Sequence, residues 1–254
     1  MSLVVIGFLA SLAAGLASGV GALPALTLRS VSIRTMDMLL GGAAGVMLAA
    51  TSFSLIIPGI EIGNQMWPGW GVWIVALGMA VGAVFLDRAN RWLPHEHFVS
   101  GHEGPSSRLR KIWLFIIAIT IHNFPEGLAV GVGFGSGNFG AATSLAIGIG
   151  LQNMPEGLAV ALPLMGEGYG RWKAIGIATL TGLVEPVGGI LGVGAITLFK
   201  PVLPFGLAFA AGAMLFVVSD EIIPETHTRG FARLATFGVV VGFLIMMALD
   251  NLLG

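Results

Sequence analysis

His122-Asn123-Phe124-Pro125-Glu126-Gly127-Leu128-Ala129-Val130 and, thirty residues on, Gln152-Asn153-Met154-Pro155-Glu156-Gly157-Leu158-Ala159-Val160 decide how this chain is read. The two nine-residue stretches agree at seven positions. Each sits in the middle of an apolar run, FIIAITIHNFPEGLAVGVG at 115–133 and LAIGIGLQNMPEGLAVALPL at 145–164. About 20 apolar residues cross a bilayer as a helix, so both runs are long enough. Consecutive crossings are antiparallel, and a motif repeated at the midpoints of two neighbours is therefore displayed in opposite directions. That is the mark of an inverted repeat with a binding site at the midplane.

The rest of the chain agrees. Of 254 residues, 56% are hydrophobic and 10% charged, and the mean hydropathy is +0.92; a soluble domain carries about 25% charged residues. Apolar runs fall at approximately 3–28, 36–60, 68–86, 112–133, 141–166, 172–198, 203–223 and 231–253. The expectation is an all-α polytopic membrane protein, a single membrane-embedded transport domain over 1–254. Its eight transmembrane helices have inverted-repeat organisation, with proline-kinked helices four and five at the core. The first run has no Lys or Arg before Arg29 and exceeds a signal-peptide core, so it reads as a retained span.

Charge sets the orientation. Arg29, Arg34, Arg88, Arg91, Arg108, Arg110, Lys111, Arg171, Lys173, Arg229 and Arg233, eleven of the twelve basic residues, follow odd-numbered spans, and only Lys200 falls on the other side. The positive-inside rule then places those loops in the cytoplasm and both termini outside. All six tryptophans lie near span ends, as an interfacial belt requires. A net charge of −1 offers no basic field for nucleic acid, and the absence of cysteine excludes disulfides and thiolate ligands. Glycines recur four apart at 15/19, 41/45, 78/82, 188/192 and 238/242. Such stripes let helices approach closely and also permit a homodimer.

The informative residues are polar groups at the thickest part of the membrane. A carboxylate at a span centre costs about 2.5–3.5 kcal/mol, so Glu126, Glu156 and Glu185 together cost on the order of 7–10 kcal/mol uncompensated. No Lys or Arg lies in any span interior to pair with them. A bound cation, or protonation, must compensate them. Positions i, i+1 and i+4 share one side of a helix, so His122, Asn123 and Glu126 can converge, as can Gln152, Asn153 and Glu156. Pro125, Pro155 and Pro186 free the carbonyls of Ile121, Leu151 and Gly182, which are tolerated there only where they line a polar cavity. One imidazole with several oxygens suits Zn2+, Fe2+ or Mn2+. Proline-bent helices whose polar groups merely bond their neighbours are the plainer reading, but three mid-span acids exceed that need.

The long connection 87–111, DRANRWLPHEHFVSGHEGPSSRLRK, carries His95, His97 and His102 beside Glu96 and Glu103. It reads equally as a loose cytoplasmic cation tract or as a solvated loop. Glu61 ends span two and Asp250 lies near the end of span eight, two acids at an outer mouth able to concentrate cations.

HNFPEG at 122–127, QNMPEG at 152–157, Glu185-Pro186 and SDEIIPETH at 219–227 together resemble the ZIP (Zrt/Irt-like) family of divalent-metal transporters, in its GufA-like bacterial branch. The resemblance covers the whole chain. It implies import of divalent transition-metal cations, zinc foremost with iron and cadmium also in the family's range, across a bacterial inner membrane. It implies a binuclear midplane site of His122, Asn123, Glu126, Gln152, Asn153, Glu156 and Glu185, with Met47 as a thioether ligand and Ser54 lining the same path. Asp220 and Glu221 would follow on the way in, though the family usually has His at the position of Asp220. Glu225 and His227 either continue the exit path or belong to a solvated helix end. The metal is cargo, and no catalytic cofactor is implied. Two other readings stay open, an intramembrane metal-dependent hydrolase and a transporter of a different cationic substrate. The first lacks an H-E-x-x-H motif.

Overall fold

The computed structural model describes residues 2–28, 30–97, 101–103 and 111–253, with backbone only at 95–97, 101–103 and 111. Arg29, Arg108 and Arg110, used above to orient the chain, lie outside the described residues. Among the described residues, eight helices are long and apolar enough to cross a membrane: Leu3–Leu26, Ile33–Met66, Gly71–Trp92, Ile112–Gly135, Phe139–Gly166, Arg171–Leu198, Lys200–His227 and Ala232–Leu253. The chain is a multi-pass membrane protein. Large apolar side chains such as Leu77, Val84, Phe237 and Leu252 stay exposed on its outer faces, where lipid rather than water is the natural neighbour. Among the described residues the only strands are His95–His97 and Gly101–Glu103, an antiparallel pair outside the spans with His95 opposite Glu103.

Ser2, Ser32 and Asn138 cap spans one, two and five, each side chain accepting from a backbone N–H three residues on. Four tight turns between spans each contain a glycine at φ between 81° and 89°, a region closed to most side chains. Three helices clearly outrun the hydropathy, and span two is one of them, continuing to Met66 rather than stopping at 60. Span three continues to Trp92 rather than stopping at 86, carried by the Asp87–Arg91 pair at 3.0 Å across one turn. Span seven runs to His227 rather than 223, so His122 is not the only histidine on a spanning helix.

Three irregularities position the interior. Spans two and seven each contain a π turn, Ala50–Ile56 and Val218–Ile222. Each π turn abuts a proline, Pro58 or Pro224, which cannot donate to the carbonyl four residues back. Span six is two half-helices, Arg171–Gly182 and Glu185–Leu198, and Pro186 sits harmlessly in the first turn of the second half. Spans four and five, by contrast, are unbroken helix through Pro125 and Pro155. A bend of their axes stays an expectation.

The helices sort into two groups by their most extensive contacts, spans one, four, five and six against spans two, three, seven and eight. All five glycine pairs are used inside the subunit. Gly15 and Gly19 meet Gly182 and Thr179, Gly41 and Gly45 meet span eight, and Gly78 and Gly82 meet span seven. Gly188 and Gly192 meet span four, and Gly238 and Gly242 meet span two.

Candidate metal centre

Every polar residue of the repeated motif points inward. His122, Asn123, Glu126, Gln152, Asn153, Glu156 and Glu185 are all buried, Glu126, Asn153 and Glu185 completely. Two of the three carboxylates accept from a side-chain amide. Gln152 donates through Nε2 to Glu126 Oε1 at 2.5 Å, joining spans four and five. Asn153 donates through Nδ2 to Glu185 Oε1 at 2.6 Å and to the Ala14 carbonyl at 2.9 Å, joining spans five, six and one. Glu185 also opens a half-helix, where the exposed N–H groups of the first turn favour a negative charge.

These bonds leave much unmet. Glu126 Oε2, Glu156 Oε2, Glu185 Oε2, Gln152 Oε1, Asn153 Oδ1 and both amide atoms of Asn123 are buried with no hydrogen-bond partner among the described residues. Buried polar atoms are normally paired, and each exception asks for an explanation. Oxygen predominates in this set, and none of the three carboxylates pairs with Lys or Arg among the described residues. As the side chains stand, the contacts are pairwise: no three His, Asp or Glu among the described residues are set to hold a metal ion. Met47 is completely buried in the core of span two.

The glycine closing each motif has a visible purpose. A Cβ at Gly127 would run into the backbone of Glu185, and one at Gly157 into the backbone of Ser18. The residue after each motif glutamate thus lets a neighbouring span approach to backbone contact, span six in one case and span one in the other.

A cavity of about 350 Å³ leads from the motif to the side of the molecule carrying the basic loops. His122, Glu156 and Glu221 line its inner end, and Glu225, Arg229, Ser30 and Gly166 its outer end. His122 Nε2 is in contact with Glu221 Oε2, which ties the two helix groups together. Asn90 of span three donates to the other oxygen of Glu221 at 3.0 Å, both residues being buried. The sequence reading gave Asn90 no role because it ended span three before it. The neighbouring acid turns elsewhere: Asp220 is exposed and lines a separate groove with Met79, Ala80 and Ala83 of span three. Of the Asp220–Glu221 pair, only Glu221 reaches the cavity.

On the opposite side Ser54 and Glu61 line a second cavity of about 270 Å³. Ser54 Oγ donates to Asp250 Oδ1 at 2.7 Å, so Ser54, expected on the inner path, lies beside both acids expected at the outer mouth. His227 is not turned to the basic-side cavity. Its Nδ1 is 2.8 Å from the Ile223 carbonyl and its Nε2 is 3.0 Å from Thr236 Oγ1, which leaves neither ring nitrogen open to a metal in this arrangement. The side chains of His95, His97 and His102 lie outside the described residues.

A family profile described as ZIP Zinc transporter matches residues 93–250. Zinc transporter GufA of Myxococcus xanthus is 46% identical over 98% of this chain and 99% of its own length. This chain belongs to the ZIP family. Zinc transporter ZIPB of Bordetella bronchiseptica is 45% identical over 94% of this chain and 78% of that protein. Zinc transporter ZIP11 of Homo sapiens is 37% identical over 87% and 89%. The similarity to these ZIP proteins includes the fourth and fifth spans with their paired motifs, and the profile's range also takes in Glu185, Glu221 and Asp250. A buried carboxylate-rich seam between a small cavity on one face and a larger one on the other is an arrangement that can accept a cation, strip its water and pass it on.

Proposed function

We propose that this ZIP protein carries divalent transition-metal cations, zinc foremost, across the membrane toward the cytoplasm. The observation that carries the proposal is the set of three carboxylates at the centre of the spans, each with a buried oxygen left unpartnered and none paired with Lys or Arg among the described residues. A mobile cation supplies the missing charge and partners at once. Zinc comes to this chain from the names of its relatives, iron and manganese from the donor set, and cadmium from the resemblance.

The path assigned to the ion begins at Glu61, Ser54 and Asp250, whose negative charge raises the local cation concentration. It continues past Met47 to His122, Asn123, Glu126, Gln152, Asn153, Glu156 and Glu185. Gln152 Oε1 and Asn153 Oδ1 already stand open to coordinate there, and release of the amide N–H donors would free a second oxygen on Glu126 and on Glu185. Glu221 takes the ion from His122 into the cavity on the basic side, which the positive-inside rule makes cytoplasmic. Asp220 has no part in this route as its side chain stands. The same rule puts both termini outside, and the bacterial relatives point to the inner membrane. A homodimer would have to form through faces other than the glycine stripes, which are used within the subunit.

The test is uptake by proteoliposomes across a panel of divalent metals, with and without a proton gradient, beside a hydrolysis assay on lipid and peptide substrates. Zinc uptake without hydrolysis supports the proposal; hydrolysis without uptake replaces it with the enzyme reading.

A further inference from the structure

The outer end of the basic-side cavity contains a guanidinium, a paradox if cations leave that way. Arg229 Nη2 pairs with Glu225 Oε1, and its Nη1 lies 3.4 Å from Asp37 Oδ1. Asp37 comes from span two, is completely buried, and keeps Oδ2 without a hydrogen-bond partner among the described residues. Glu225 follows Glu221 by four residues, which places it about one helical turn, or roughly 5 Å, farther along the same helix face. Glu221, Glu225 and Arg229 all line the one cavity that begins at His122.

We propose that Asp37 and Glu225 form a further divalent-cation station beyond Glu221, and that Arg229 is the tethered cation that an outgoing metal must displace from it. The proposal rests on the reading of this cavity as the metal's way out. Two carboxylates from different spans, one with a buried open oxygen, are hard anionic ligands of the kind a zinc or manganese ion takes together with water. Left alone, such a pair one turn beyond Glu221 would retain the ion. A guanidinium on the same chain competes for the same oxygens at an effective concentration on the order of millimolar. It converts a trap into a weak, transient stop, so that the ion goes on to the cytoplasm. Arg suits the task because its planar fork spans two carboxylates and never loses its charge.

The experiment counts zinc bound to the purified full-length protein by equilibrium dialysis, using Arg229→Met, Arg229→Lys and the double variants Arg229→Met/Glu225→Gln and Arg229→Met/Asp37→Asn. Arg229→Met is expected to hold one zinc ion more than the unaltered protein, and each double variant to lose that ion again. Arg229→Lys keeps the charge without the fork and is expected to hold the extra ion at least tenfold more weakly than Arg229→Met. Zinc delivered into vesicles by Arg229→Met should fall severalfold while its affinity at the outer face is unchanged. An unchanged zinc count in both folded single variants overturns the proposal, as does an extra ion that survives both double variants. Because the readout is a count of bound ions, absence of zinc uptake by the unaltered protein would reject the transport reading separately.

Discussion

Replacing Gln152 by Leu isolates the energetics at the centre of the site. The substitution keeps the side chain near its volume but removes the donor held 2.5 Å from Glu126 Oε1. Glu126 is completely buried and its other oxygen has no partner, so the carboxylate would be left with none among the described residues. Stranding a buried acceptor costs about 1–3 kcal/mol. For a chain of this size 1 kcal/mol moves the melting temperature by about 2–4 °C, which gives a fall of about 2–12 °C in metal-free protein. Zinc bound at Glu126 Oε1 replaces the lost partner, and at that oxygen it no longer has to displace the amide first. The gap between variant and parent should therefore narrow in saturating zinc. The assay is thermal unfolding of both proteins in nanodiscs, with chelator and with zinc. No gap under chelator, or a gap of equal size in zinc, would refute the view that Gln152 occupies an oxygen that the metal uses.

Four further outcomes are expected. In zinc uptake by proteoliposomes, His122→Ala and Glu126→Ala should abolish transport, while Gln152→Ala retains it with altered apparent affinity; equal loss in the His122 and Gln152 variants would contradict an unequal pair of half-sites. Asp250→Asn, which weakens the anionic outer mouth, should raise the zinc concentration needed for half-maximal uptake and leave the maximal rate; a lowered rate at unchanged affinity would point elsewhere. Gly127→Ala should destabilise the protein by about 1–3 kcal/mol in unfolding measurements because its methyl has no room beside Glu185, whereas Gly176→Ala, in open space, should be neutral or slightly stabilising. A reporter fused after the last residue should be active only outside the cytoplasm; cytoplasmic signal would overturn the span count.

Much of this was legible in the sequence because hydrophobic length and charge act residue by residue. The count of eight spans and the inward set of His122 to Glu156 follow from run length and from i, i+1, i+4 geometry, and the helices observed agree. Partners were less legible. Asn90 sits among charged residues, DRANRW, that end an apolar run by composition while the Asp87–Arg91 pair continues the helix. Arg229 read as one more topology-setting charge, and Asp37 drew no attention, since nothing local shows that spans two and seven bring them together. The break in span six was half visible: Glu185-Pro186 marked the place, but a proline inside a helix and one opening a helix look the same in sequence.

The π turns at Ala50–Ile56 and Val218–Ile222 leave no trace in the sequence beyond the proline that follows each, yet they govern what changes these helices can absorb. Each inserts roughly one residue beyond regular α winding and so advances everything after it by about 100°. Glu61 owes its aim into the outer cavity to one such phase slip and Glu225 its place on the basic-side cavity to the other, while Ser54 and Glu221 sit within the turns themselves. A single-residue deletion inside either turn would relax it to plain α-helix and preserve every downstream side chain, but swing them all to the wrong azimuth. Away from Ser54 and Glu221, these two segments should tolerate many substitutions and almost no length change, so a deletion scan would find what a substitution scan passes over.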